Sequence, residues 1–173
     1  MKFKRRHSGL SGILLAVTML LAAPTFAAGP SYLDRPDPAL TPGAFDPAVT
    51  QANIQETICK PGYTATVRNV TDSEKQAVIA RYRAKYPHWP ATNVEIDHDG
   101  SLELGGSNDP LNLWPEHYSG PFGARVKDQV EDYLHREVCA GRILLKDAQE
   151  AITHDWISVY KSMPNPPKAR KGK

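Results

Sequence analysis

The chain has 173 residues, 40% of them hydrophobic, a length that suits one domain of modest core and excludes a multidomain assembly. Its near-balanced charge, 21 Lys and Arg against 19 Asp and Glu, is unevenly spread: the two ends hold eight of the basic residues, which leaves 13 against 19, a net of −6, between residues 28 and 163. A body of that sign excludes binding to nucleic acid by overall charge, so any such contact has to come from a local patch or a tail.

Lys2, Lys4, Arg5 and Arg6 precede an uncharged apolar run at 10–23, and Pro24-Thr25-Phe26-Ala27 places small residues three and one before a cut after Ala27. That order predicts a secretory signal peptide over residues 1–27. The run is shorter than the roughly 20 residues that span a bilayer, so no stable membrane association is expected once the signal is cleaved. The mature chain is then exported, to the periplasm or the outside medium. Residues 28–47 contain Pro30, Pro36, Pro38, Pro42 and Pro47 and read as an extended linker. Residues 48–163 form the domain, and the proline-rich, basic 164–173 reads as a disordered tail.

Within the domain, 48–59 suits a short helix that ends near Lys60-Pro61-Gly62. The alternation in Tyr-Thr-Ala-Thr-Val-Arg-Asn-Val at 63–70 predicts a short strand. Thr71 with Glu74 three residues later is a capping box, opening a helix with Ala77, Val78 and Tyr82 on one face that stops at Pro87. Residues 94–96 and 102–104 are short strand candidates. From about Pro121, Val126, Val130, Tyr133, Leu134 and Val138 keep helical spacing, with Gly141 as the stop. A last helix over 145–163 aligns Ala148, Ile152 and Trp156. The fold class is therefore α+β, mostly helical, with a small β element. Trp89, Trp114 and Trp156 are expected as core anchors.

Two cysteines, Cys59 and Cys139, in an exported chain favour a disulfide, with two buried free thiols as the alternative. Neither has a second cysteine close by in sequence, which sets a zinc pair aside.

The chemistry concentrates in residues 95–116, EIDHDGSLELGGSNDPLNLWPE. A neutral imidazole such as His98 can deprotonate water. Asp97 offers a hard oxygen to a divalent ion, and Asn112, fourteen residues after His98, can orient the imidazole. Neighbouring side chains on a strand point to opposite faces, so Asp97 and His98 can share a site only where the strand ends or bends. Gly105-Gly106 reads as a backbone requirement and not as a phosphate cradle, since no Walker-type lysine follows.

Asp97-His98, then Leu102-Glu103-Leu104-Gly105-Gly106-Ser107-Asn108-Asp109, then Asn112-Leu113, resemble the HNH nuclease family, whose ββα-metal core is two strands and a helix around one divalent ion. Over roughly residues 43–161 the chain is also similar to small exported bacterial HNH endonuclease-like proteins. That similarity runs through Asn112-Leu113-Trp114-Pro115-Glu116, Lys127-Asp128, Val138-Cys139-Ala140-Gly141, Asp155-Trp156, and Ile58-Cys59 leading to the segment Tyr63 to Arg68. The resemblance implies a ββα-metal core packed with additional helices, Asp97 as metal ligand, His98 as general base and Asn112 as its orienting partner. It implies a metal-dependent phosphodiester hydrolase acting on nucleic acid, DNA ahead of RNA, with Mg²⁺ first and Mn²⁺ or Zn²⁺ after it.

The chain departs from the family pattern twice. Asp99-Gly100-Ser101 follows His98, placing a carboxylate that could bind metal or raise the imidazole pKa. No ligand stands at the expected start of the helix before Lys127, so His117, then Asp128, are the candidates for the remaining ligand. Arg125, Lys127 and Arg136 are the candidates for nucleic-acid backbone contacts. The alternative reading, from the missing ligand, Asp99 and the acidic body, is a catalytically inactive exported scaffold that binds a partner or polymer.

Overall fold

The computed structural model describes residues 34–88, 92–118 and 120–164. The expected signal peptide, the first residues of the linker, Trp89 and all of the tail beyond Pro164 lie outside them. The described chain is α+β, with helices α1 (Tyr63–Val67), α2 (Asp72–Lys85), α3 (Ala124–Cys139) and α4 (Leu145–Ser162). Strands β1 (Val94–His98) and β2 (Leu113–His117) pair antiparallel, with Val94 opposite His117, Asp97 opposite Trp114 and His98 opposite Leu113. None of the described helices is long and apolar enough to cross a membrane.

α2 starts as its capping box requires: the Glu74 N–H bonds the Thr71 hydroxyl and the Glu74 carboxylate reaches back to the Thr71 N–H. Val78 and Tyr82 are buried against Leu113 and Trp114 of β2, with Val94 and Ile96 packed alongside, whereas Ala77 is exposed. The larger core joins Val126, Val130, Leu134 and Val138 of α3 to Leu145, Ala148, Ile152 and Trp156 of α4, over Ile54, Ile58 and Leu104. Trp114 and Trp156 are both core residues. The disulfide forms between Cys59 and Cys139, whose Cα atoms are 5.6 Å apart, and ties the segment before α1 to the end of α3.

The structure corrects four expectations. Residues 48–59 form a 3₁₀ turn (Gln51–Asn53) and further turns instead of a helix. Residues 63–67 form one helical turn, not a strand. Gly62 enters it at φ +83°, the Thr66 hydroxyl donates to the Tyr63 carbonyl, and the Arg68 N–H closes it on Thr64. Threonines that bond their own backbone offset the β preference of the alternating pattern. The second strand is Leu113–His117, while Leu102–Leu104 is a 3₁₀ turn capped by the Ser101 hydroxyl on the Glu103 N–H. Pro115 fits within that strand because in a two-stranded sheet every strand has an open edge that tolerates a residue without N–H.

Fourth, the expected linker is part of the fold from Asp34 onward, where the description begins. The Thr41 hydroxyl donates to the Leu113 carbonyl at 2.9 Å and meets the Tyr82 hydroxyl at 2.9 Å. Phe45 bridges to Gly106, and Ser107 N–H bonds the Ala44 carbonyl at 3.0 Å. The segment is a strap with a turn at 37–41, where the Leu40 and Thr41 N–H groups bond the Asp37 carbonyl, and beyond that turn the domain satisfies backbone groups such as the Ala44 and Asp46 N–H.

Candidate functional site: a histidine cleft and a buried lysine behind it

The fourteen residues between the strands, 99–112, form a compact loop closed by Asn112, which is fully buried. Its Oδ1 accepts from the Gly100 N–H at 2.7 Å and the Ala44 N–H at 3.0 Å, and its Nδ2 donates to the Gly100 and Ser107 carbonyls at 2.9 and 2.8 Å. All four side-chain hydrogen-bonding positions of the amide are thus used on backbone. The expectation that Asn112 bonds the His98 ring is corrected: it holds the loop and the strap, and it acts on His98 only through the backbone. Gly106 is needed for the same closure, because a Cβ there would lie 1.7 Å from the Gly100 carbonyl oxygen.

The residue that touches the imidazole is Asn108. Its Nδ2 donates to the Val67 carbonyl at 2.8 Å, and its Oδ1 accepts from the Asn69 N–H at 3.2 Å. That fixes the amide with its oxygen toward His98, whose Nε2 lies 3.1 Å away. An oxygen can only accept, so Nε2 carries the proton and Nδ1 keeps its lone pair. Nδ1 is buried and has no hydrogen-bond partner in the protein. Burial lowers the His98 pKa below the ordinary imidazole value. Asp97 and Asn108 oppose this, while Arg68 and Lys127 add to it, and the net effect keeps the ring neutral at pH 7.

His98 lines a cleft of about 460 Å³ together with Arg68, Lys75, Glu95, Ile96 and Tyr118. The turn at 63–67 is what brings Arg68 there. The cleft thus combines a neutral imidazole with two cations from outside the 95–116 segment, neither of which the sequence motif pointed to.

Asp97 faces elsewhere. Its Oδ2 accepts from the Lys127 ammonium at 2.9 Å. Lys127 is fully buried and also donates to the His98 carbonyl at 2.8 Å and to Glu131 Oε1. Ser101 closes the other side of the nest by donating to Glu131 Oε2 at 2.7 Å. Burial alone would raise the Asp97 pKa, but the Lys127 charge and its hydrogen bond overcome this and hold it below the ordinary value. Burial works against the ammonium too, yet Asp97, Glu131 and Glu116 raise its pKa well above that of a free lysine. Burial pushes Glu116, which lies near the Asp97 charge, well above the usual carboxylate range, and pushes Glu131 and Asp99 up to about 7. One ammonium cannot balance four carboxylates, so only part of the nest is ionised.

The expected site residues therefore separate. Asp97 and His98 are on neighbouring positions of β1 and turn to different partners, Lys127 and Asn108. His117 is at the far end of β2, opposite Val94 and near Asp34, about 10 Å along the strand from the partner of Asp97. Asp128 is exposed and pairs with Arg125 at 3.7 Å. Asp99 is buried and points toward Gly43 and Thr153, not toward the imidazole. Lys127 is buried and so does not contact a nucleic-acid backbone. Arg125 and Arg136 are exposed, the latter eleven residues further along α3, about 16 Å by helical rise.

Asp97, His117 and Asp128 consequently do not make a ligand set for a divalent ion: Asp97 is committed to an ammonium, His117 is at the far end of β2, and Asp128, although near enough to feel the Asp97 charge, is exposed and pairs with Arg125. Among the described residues, one group of three possible ligands has its ligand atoms within 4.8 Å of one another, Cys59, His135 and Cys139, and the disulfide commits two of them. Asn108, Arg68, Glu116 and Glu131 were given no role at the site from the sequence, although the first three lie in segments that carry the resemblance. Asn108 stands inside the motif and Glu131 follows Lys127 at helical spacing, so both had a signal that pattern matching alone did not weigh. Compared with protein-family models, with curated proteins and with solved structures, the chain matches none of them, and the site is read from its own geometry.

Proposed function

We propose that this chain is a phosphodiester hydrolase of the HNH type acting on nucleic acid outside the cytoplasm, DNA ahead of RNA, with His98 as its general base. The observation that carries the reading is the fixed Nε2–H tautomer of His98, lone pair on Nδ1, in a cleft that also holds Arg68 and Lys75. In the reaction, Nδ1, which is buried in this structure, has to open to the cleft; it then takes a proton from a water molecule whose oxygen attacks phosphorus. The P–O bond to the leaving nucleotide breaks, and that oxygen is protonated from solvent. Arg68 is placed to offset the charge that builds on the phosphoryl oxygens. The ββα order of β1, β2 and α3 supports the same reading. The family's divalent ion would sit at Asp97, where the Lys127 ammonium already holds the carboxylate and the residues do not fit the ion. Export is supported by the disulfide.

A second reading is favoured by Lys127, which fills the acid nest at Asp97: a scaffold that keeps the ββα arrangement without turnover and binds a partner or polymer. The deciding experiment incubates the oxidised mature protein with supercoiled plasmid and single-stranded RNA, in EDTA and in Mg²⁺, Mn²⁺ or Zn²⁺, beside His98→Ala. The hydrolase reading expects cleavage that falls by at least about 100-fold in the variant, with the thermal melt nearly unchanged. Equal cleavage by the variant, or none by the parent under any condition, rejects it and leaves the scaffold.

A further inference from the structure

The geometry points to a built-in cation: we propose that the Lys127 ammonium stands where a divalent ion would sit at Asp97, so that this pocket is complete without metal. An ammonium has three N–H donors and no acceptor. Here the three acceptors are Asp97 Oδ2 at 2.9 Å, the His98 carbonyl at 2.8 Å and Glu131 Oε1, drawn from β1 and α3. The side chain has no exposed surface. Its donors are therefore all used, on the kind of oxygens, carboxylate and backbone carbonyl, that a hard divalent ion takes. Around this shell lie Glu116, whose two carboxyl oxygens are buried, and the buried Asp99.

A second cation cannot enter while the first remains. Mg²⁺ or Mn²⁺ at Asp97 would lie within a few ångströms of the ammonium, where like charges in a buried site repel strongly. It would also have to take Asp97 and Glu131 from a partner with complete hydrogen bonding. Lysine delivers its charge on a tether that costs no binding equilibrium, so the pocket holds its cation at any metal concentration and in the presence of chelators. The proposal concerns occupancy of the pocket and stands whether or not His98 hydrolyses anything.

Thermal unfolding tests it without reference to activity. The oxidised wild-type protein is melted at pH 7 with EDTA and with 10 mM Mg²⁺ or Mn²⁺, beside Lys127→Met and Lys127→Met/Asp97→Asn. The wild type is expected to show no shift. Lys127→Met, which leaves buried carboxylates without a cation, should melt about 10 °C or more lower. It should regain about 5 °C or more on adding either ion, and Asp97→Asn should abolish that gain. A folded Lys127→Met that ignores both ions overturns the proposal, as does an ion-dependent rise in the wild type that Asp97→Asn removes. Should Lys127→Met not fold, amide spectra of the wild type during a Mn²⁺ titration decide. Paramagnetic broadening centred on residues 95–99 and 127–131 overturns the proposal, and sharp signals there uphold it.

Discussion

On the proposed hydrolase reading, His98 serves as a base through a nitrogen kept free of its proton, and Asn108 does the keeping. Its amide is itself pinned by Val67 and Asn69, so the tautomer of a ring on β1 is set by the backbone of a turn some thirty residues earlier. The sign of its effect can be tested. The Asn108 hydrogen bond favours protonated imidazole, so Asn108→Leu should move the acid limb of the pH–rate profile to lower pH and reduce kcat by about 10- to 100-fold. Asn108→Asp, adding a negative charge, should move that limb to higher pH. A nitrogen-15 spectrum of the wild-type imidazole should report Nε2–H, a readout that a merely structural asparagine would not fix. At this scale the sequence was legible in kind and not in partner. Asp97, His98 and Asn112 are all buried or half-buried polar groups with dedicated contacts. Which asparagine faces the ring was not legible, because both lie in one loop and only its closure separates their roles. Nor was the burial of Lys127, since lysines on amphipathic helices are usually solvated.

Among the elements, the helices were read best. α2 carries a capping box, and α3 and α4 carry apolar faces that recur over three turns or more, which is where pattern reading is strongest. The short elements went the other way. Five residues at 63–67 and three at 102–104 are too few for a period to decide, and local hydrogen bonds from Thr66 and Ser101 chose turns instead. The loop from 99 to 112 supplies Asn108 to His98, and its Gly106 is not equivalent to Gly62, which enters α1. Gly106→Ala should destabilise the domain by more than about 3 kcal/mol in denaturant unfolding, because its Cβ would collide with Gly100 and Ser101 backbone. Gly62→Ala meets nothing within 4 Å and bears only its positive φ, so about 1 kcal/mol is expected. Equal costs at the two positions would contradict this account of the loop.

For the whole molecule, stability is held by links between distant parts of the chain. The disulfide closes 80 residues, and the Cys59→Ala/Cys139→Ala variant should lose about 2–5 kcal/mol, seen as a lower denaturant midpoint with the loop around His98 still formed. The cysteine count made this bond legible in advance, whereas the packing of residues 34–47 was hidden by prolines that usually mark linkers. That strap has a consequence in time. It is the first described part of the fold to leave the ribosome, yet Thr41 waits for Leu113, 72 residues later, and Ala44 waits for Asn112, 68 residues later. Synthesis at about 5–20 residues per second makes that a delay of several seconds, during which no native arrangement of the strap exists. A polypeptide that cannot close on itself early stays threadable, which is the condition a narrow translocation pore imposes on anything that passes through it.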